Sequence, residues 1–126
     1  MKLPKAARLR RRREYLAVQE RGVRLYSGEL LVLLGDAAMD RPRIGITVSS
    51  KVANAVGRNR VKRWVREAFR EIQPELPPVD LVVIARSGAL ALGLPGARRA
   101  LAGARAELQR RGLSPGSSRP GPGITP

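Results

Sequence analysis

The chain contains no cysteine and no histidine. Without cysteine there are no disulfides, thiolate zinc sites, iron–sulfur clusters or cysteine nucleophiles. Without histidine, the usual general base near neutral pH and the commonest metal ligand are missing, and a Ser-His-Asp triad is impossible. Any catalysis by the protein itself would have to use carboxylates, Lys or Tyr. Aromatic residues are scarce as well. Tyr15, Tyr26, Trp64 and Phe69 are the four, so aliphatic side chains must do most of the packing. No apolar run approaches the ~20 residues of a membrane-spanning helix. The basic opening Met1-Lys2-Leu3-Pro4-Lys5 is followed by no apolar segment before Tyr15, which is unlike a secretory signal. The cytoplasm is the expected compartment, with no membrane partner.

What the chain has in excess is positive charge. Its 126 residues hold 25 Lys or Arg against 10 Asp or Glu, a formal charge of +15. Such self-repulsion destabilises a small fold, and a phosphate-rich polymer relieves it. Of the 25 cations, 21 are Arg, whose planar, bidentate donors suit phosphate and base edges. Nucleic acid is the expected partner. The charge is also uneven: residues 1–24 carry nine cations and two anions, residues 25–50 two and three, and residues 51–73 seven and two. A nearly neutral middle between two basic segments suggests a sheet core flanked by basic surfaces.

The length suits one domain, since a single core serves roughly 100–200 residues. Residues 8–20 predict a helix with Tyr15, Leu16, Val18 and Gln19 inward and Gly22 as its stop. Val23 to Leu34 is strand-like and divides in two if the chain turns at Ser27-Gly28. Gly35 to Pro42 is a turn. Residues 43–49 alternate, with Ile44, Ile46 and Val48 on one face and Gly45, Thr47 and Ser49 on the other. Residues 52–73 form the longest helix, residues 79–86 a central strand, and residues 96–111 a last helix with Ala97, Ala100, Leu101, Ala104 and Leu108 inward. The fold class is α+β, in the order α-β-β-(β)-α-β-α. A basic N-terminus (1–7), expected to be flexible, precedes the domain (8–111). A Gly/Pro/Ser-rich tail (112–126), expected to be disordered, follows it.

The helix within 52–73 is the most informative stretch. At about 100° per residue, Trp64, Val65, Ala68, Phe69 and Ile72 fall within roughly 80° of Val61, as one apolar stripe. Asn59, Lys62, Arg63, Arg66 and Arg70 cluster on the other side, with no carboxylate among them. Solvated helix faces usually mix both signs for i,i+4 pairing, so an all-cationic ridge points to a polyanion laid across it. Asn59, between Arg58 and Arg60, adds a donor and acceptor for a base or a 2′-hydroxyl. Glu67 and Glu71 read as intrahelical ion-pair partners of Arg63, Arg66 or Arg70 rather than a catalytic pair. Ser50-Lys51, adjacent at a strand end, face opposite ways and make a poor nucleophile and base. No phosphate-cradling Gly loop is present. The residues alone therefore describe a nucleic-acid-binding protein with no catalytic side chain and no metal site.

From Arg43 through Ser49-Ser50-Lys51 to the helix Ala55-Val56-Gly57-Arg58-Asn59-Arg60-Val61-Lys62-Arg63, closing on Arg66-Glu67-Ala68-Phe69-Arg70, the chain resembles the protein subunit of bacterial ribonuclease P. The resemblance extends through Asp80-Leu81-Val82-Val83-Ile84-Ala85-Arg86 and covers roughly residues 8–111. It implies a ribosomal protein S5 domain 2-like sandwich with a left-handed βαβ crossover. It implies an accessory subunit of an endoribonuclease that removes the 5′ leader of precursor tRNA, with the RNA subunit and Mg²⁺ performing the chemistry. The implied partners are ribonuclease P RNA and precursor tRNA, with no further protein required. Arg58, Asn59, Arg60, Lys62, Arg63 and Arg66 would contact the catalytic RNA. Tyr15, Thr47, Ser49 and Lys51 would lie at a cleft for the single-stranded leader. The chain departs from the family pattern at Gln19 and Leu33, where aromatics are usual, and at Ser50, where a Lys is usual. A non-enzymatic RNA-binding protein of the same fold, a ribosomal protein or RNA chaperone, is the alternative.

Overall fold

The computed structural model describes residues 5–9, 11–36 and 40–111; the expected tail at 112–126 lies outside them. Three α-helices and four strands follow the order α1 (Arg12–Arg21), β1 (Val23–Ser27), β2 (Leu30–Gly35), β3 (Arg43–Val48), α2 (Ala55–Ile72), β4 (Asp80–Ala85) and α3 (Gly93–Arg110). The sheet runs β1-β2-β4-β3. The β1–β2 and β2–β4 pairs are antiparallel, and β3 is parallel to β4.

The Val23–Leu34 run does divide. Ser27 pairs with Leu30 across a two-residue turn whose first residue, Gly28, has φ +58°, a conformation that two-residue hairpins require and glycine adopts without strain. The first helix starts later than the spacing predicts. Leu9 N–H donates to Ile44 O at 2.8 Å, so Arg8 and Leu9 extend along the outer edge of β3 instead of coiling. Leu9 is buried by that pairing, and an edge strand offers backbone groups that a short N-terminal segment can satisfy. The Glu14 carboxylate then accepts from Arg11 N–H at 2.9 Å and sets the helix start. Among the described residues core burial begins at Ala7, one residue ahead of the expected domain boundary. At the far end α3 begins at Gly93 rather than at residue 96.

Alternation along the strands separates two apolar layers. On one side Ile44 and Val48 of β3, Leu81, Val83 and Ala85 of β4, and Leu30, Val32 and Leu34 of β2 meet Val61, Val65, Ala68 and Phe69 of α2. The small residues Ala97, Ala100 and Ala104 of α3 join the same layer. Leu31, Leu33 and Val82 meet Val18, Leu9 and Tyr15 on the other. Each buried Val, Leu or Phe contributes about 1.5–3 kcal/mol, which makes the α2–sheet layer the main source of stability. Val61, Val65, Ala68 and Phe69 of the predicted stripe are buried, while Trp64 and Ile72 pack partly buried beside them.

The β3–α2–β4 crossover is left-handed. Arg43 N–H donates toward β4, to Val79 O at 2.9 Å, whereas Ile44 O faces away from β4, toward Leu9. The Ile44 side chain lies on the α2 side. Viewed from that side with β3 running upward, an L-residue whose side chain faces the viewer turns its N–H and C=O to the right. Hence β4 lies to the left of β3, and the chain crosses in front of the sheet from right to left. Parallel crossovers almost always take the opposite hand.

Candidate nucleic-acid interface

The α2 ridge is presented by a well-terminated helix. Asn54 caps its first turn, its side-chain oxygen accepting from Gly57 N–H at 2.9 Å, which replaces one of the unpaired donors of the helix start. Burial of the Val61–Phe69 stripe then fixes the rotation of the helix. Asn59, Arg60 and Arg63 are exposed, and Arg58, Lys62, Arg66 and Arg70 are half-buried. Arg58 donates to Ala53 O at 3.0 Å, which folds it back over the first turn. Among the described residues, Arg60, Lys62, Arg63 and Arg66 form no ion pair.

The carboxylates are used elsewhere. Glu71 pairs across helices with Arg98 of α3, at 2.9 and 2.7 Å, and not with Arg63, Arg66 or Arg70 of its own helix as expected. Its own helix has no cation three or four residues away, since positions 67 and 75 are Glu, whereas the α2–α3 contact brings the two-pronged guanidinium of Arg98 to it. The Arg98 hydrogen bonds hold Glu71 below the usual carboxylate range. Glu75 takes Arg105, and Glu107 takes both Arg110 and Arg111. Neutralisation is thus concentrated along α3 and its junction with α2, leaving the ridge with uncompensated charge.

A second surface lies on the opposite face of the sheet. Tyr15 of α1 lays its ring on Gly45 of β3, where an added Cβ would sit 2.6 Å from Cε2 and Cζ of the ring. Its hydroxyl donates to Leu9 O at 3.3 Å. The ring forms one wall of an open cleft of about 420 Å³ lined by Arg12, Tyr15, Leu16, Gln19 and Thr47. Leu16, expected inward, is 39% exposed at this cleft. Of the residues predicted for a single strand, the structure brings Tyr15 and Thr47 together here. Ser49 and Lys51 are exposed in the turn that leads from β3 toward α2, outside the cleft lining. Gly45→Ala is expected to displace the Tyr15 ring and cost about 1–3 kcal/mol, the usual range for overpacking. Denaturant titration reads the loss.

An ion triad built on a buried Arg43–Asp80 pair, not anticipated from the sequence, ties the cleft to the sheet. Arg43 donates to Asp80 through Nε at 3.1 Å and Nη2 at 3.0 Å. It also donates through Nη1 to Glu14 at 2.8 Å. Arg43 and Asp80 are register partners at the start of the parallel pair, and both are buried. Glu14 therefore caps α1 with one oxygen and anchors it to the sheet with the other. Charged residues opening two otherwise apolar strands were the available signal, but their pairing depends on a crossover that spacing does not reveal.

Among the described residues no three His, Cys, Asp or Glu gather as a metal site, and no helix is long and apolar enough to cross a membrane. A family model described as Ribonuclease P matches residues 3–109. The chain is 41% identical over 101 residues to the ribonuclease P protein component of Shouchella clausii, covering 79% of this chain and 83% of the relative. It is 40% identical over 121 residues to that of Xanthomonas campestris pv. campestris strain B100, covering 95% and 79%. The fold is similar to the Staphylococcus aureus RNase P protein, with a TM-score of 0.73, 27% identity, and coverage of 84% and 97%. For the Thermotoga maritima RNase P protein the TM-score is 0.69, the identity 33%, and the coverage 79% and 96%.

Proposed function

Since the chain belongs to the family of bacterial ribonuclease P proteins, we propose that it binds the RNA subunit through α2 and the 5′ leader of precursor tRNA through the α1–sheet cleft. Arg58, Asn59, Arg60, Lys62, Arg63 and Arg66 meet ribose-phosphate of the catalytic RNA. Tyr15 stacks on an unpaired leader base, Thr47 offers it a hydroxyl, and Ser49 and Lys51 contact the strand as it leaves the cleft. The observation that carries this reading is the α2 ridge, whose four cations Arg60, Lys62, Arg63 and Arg66 lack acidic partners among the described residues while Arg98, Arg105, Arg110 and Arg111 of α3 have them.

In this reading the RNA and its Mg²⁺ hydrolyse the phosphodiester bond. The protein's part is to neutralise phosphate and hold the leader, which orients the scissile bond and lowers the charge that Mg²⁺ must offset.

Reconstitution with a bacterial ribonuclease P RNA at low Mg²⁺ is the test. The protein should accelerate 5′ processing and tighten precursor binding, and an unchanged rate and affinity would contradict the reading. Tyr15→Ala is expected to lower the preference for precursor over mature tRNA by about fivefold or more, the low end of what base–aromatic stacking supplies. Equal losses for both tRNAs would remove the leader from the cleft.

A further inference from the structure

Tyr26 is 64% exposed, on an edge strand and in a chain with four aromatics. The guanidinium of Arg86 stands over it, 5.8 Å from the ring centroid, within the range of a cation–π contact. Strand register places Tyr26 opposite Leu31, Leu31 opposite Ile84, and Ile84 opposite Thr47. These four residues form one row across the sheet face that carries α1. It runs from the outer edge of β1 to Thr47 in the cleft, about 14 Å over three strand spacings. Leu31 and Ile84 give the row an apolar floor. Arg24, two residues before Tyr26 and therefore on the same face, is exposed. An exposed tyrosine on an edge strand has an ordinary explanation in β-propensity. That explanation accounts for neither the cation over the ring nor the alignment with the cleft.

We propose that Tyr26 and Arg86 form a second nucleobase platform, which stacks another unpaired base of the same leader at the end of this row. The inference rests on the reading of the cleft as the leader site. A π face accepts any base, so the platform extends the leader's hold without demanding a sequence. Arg86 and Arg24 supply charge for the adjoining phosphates. The chain lacks an aromatic at position 19, so the platform provides stacking on the same sheet face from a different element.

The test uses the reconstituted holoenzyme and precursor tRNAs whose leaders are trimmed progressively from the 5′ end. Tyr26→Ala should weaken binding of the long-leader precursor about fivefold or more, the low end for one stacked base. Short-leader precursor and mature tRNA should bind as they do to the unaltered protein, and Tyr26→Phe should restore long-leader binding. Tyr15→Ala should already affect short leaders, which separates the two sites. The platform is overturned if Tyr26→Ala leaves long-leader affinity unchanged while Tyr15→Ala lowers it. It is equally overturned if the Tyr26→Ala loss appears with mature tRNA or in affinity for the RNA subunit. If Tyr15→Ala has no leader-dependent effect, the cleft reading fails and the platform falls with it.

Discussion

Asp80→Ala is expected to destabilise the protein by about 3–5 kcal/mol, because it leaves one member of a buried ion pair without its partner. The Arg43 side chain is 9% exposed and that of Asp80 5%, so water cannot replace the lost carboxylate. Glu14 remains 2.8 Å from Nη1 and is itself partly exposed, which places the effect toward the lower end. Against a total stability of about 5–15 kcal/mol for a domain of this kind, that is a large fraction. Joint replacement, Arg43→Met with Asp80→Leu, should cost less than Asp80→Ala alone, since it removes both charges. Denaturant midpoints with unchanged slopes read both quantities. A single variant as stable as the parent would show that the triad contributes nothing to the fold.

The second large effect concerns binding. Replacing Arg60, Arg63 and Arg66 together with Ala should weaken affinity for the RNA subunit about a thousandfold, counting the lower figure of about 1.5 kcal/mol for each charge-assisted hydrogen bond. The same variant should flatten the dependence of log affinity on log salt by roughly 2–3, near one for each phosphate that is no longer neutralised. Stability should change little, because Arg60 and Arg63 are exposed and none of the three pairs with a carboxylate among the described residues. Titration of labelled RNA at several salt concentrations gives affinity and slope together. A thousandfold loss at an unchanged slope would mean that the side chains act through shape rather than charge.

How much of this was legible in the sequence follows from which interactions are local. Alternation along Ile44, Ile46 and Val48 and the Val61 stripe both have a short period, so the faces of β3 and α2 could be read directly. The apolar pattern suggested residue 52 as the start of the α2 helix, whereas the structure starts it at Ala55, behind the Asn54 cap. Non-local partners were not legible. Arg8 and Leu9 lie beside four consecutive arginines that favour a helix, yet the open edge of β3 draws them into extended pairing. Glu71 looked intrahelical because Arg66 and Arg70 are near it in sequence, but neither stands three or four residues away, and only the packing of α3 brings Arg98 to it. Arg43 and Asp80 are 37 residues apart and become neighbours through the parallel β3–β4 register. Tyr26 stood in a strand with nothing to mark it until register linked it to Thr47.

The proposed contact between the α2 ridge and the RNA subunit can be measured at a single position, because the chain has no cysteine. Val56→Cys places a unique thiol at the start of α2, at a residue 66% exposed beside the ridge and outside it. Ala106→Cys places one on the exposed side of α3. With an iron chelate attached to each and the holoenzyme assembled, hydroxyl radicals from the α2 position should cut the RNA subunit at a compact set of riboses. The α3 position should give weak or no cleavage. Strong cleavage from α3 with none from α2 would contradict the account.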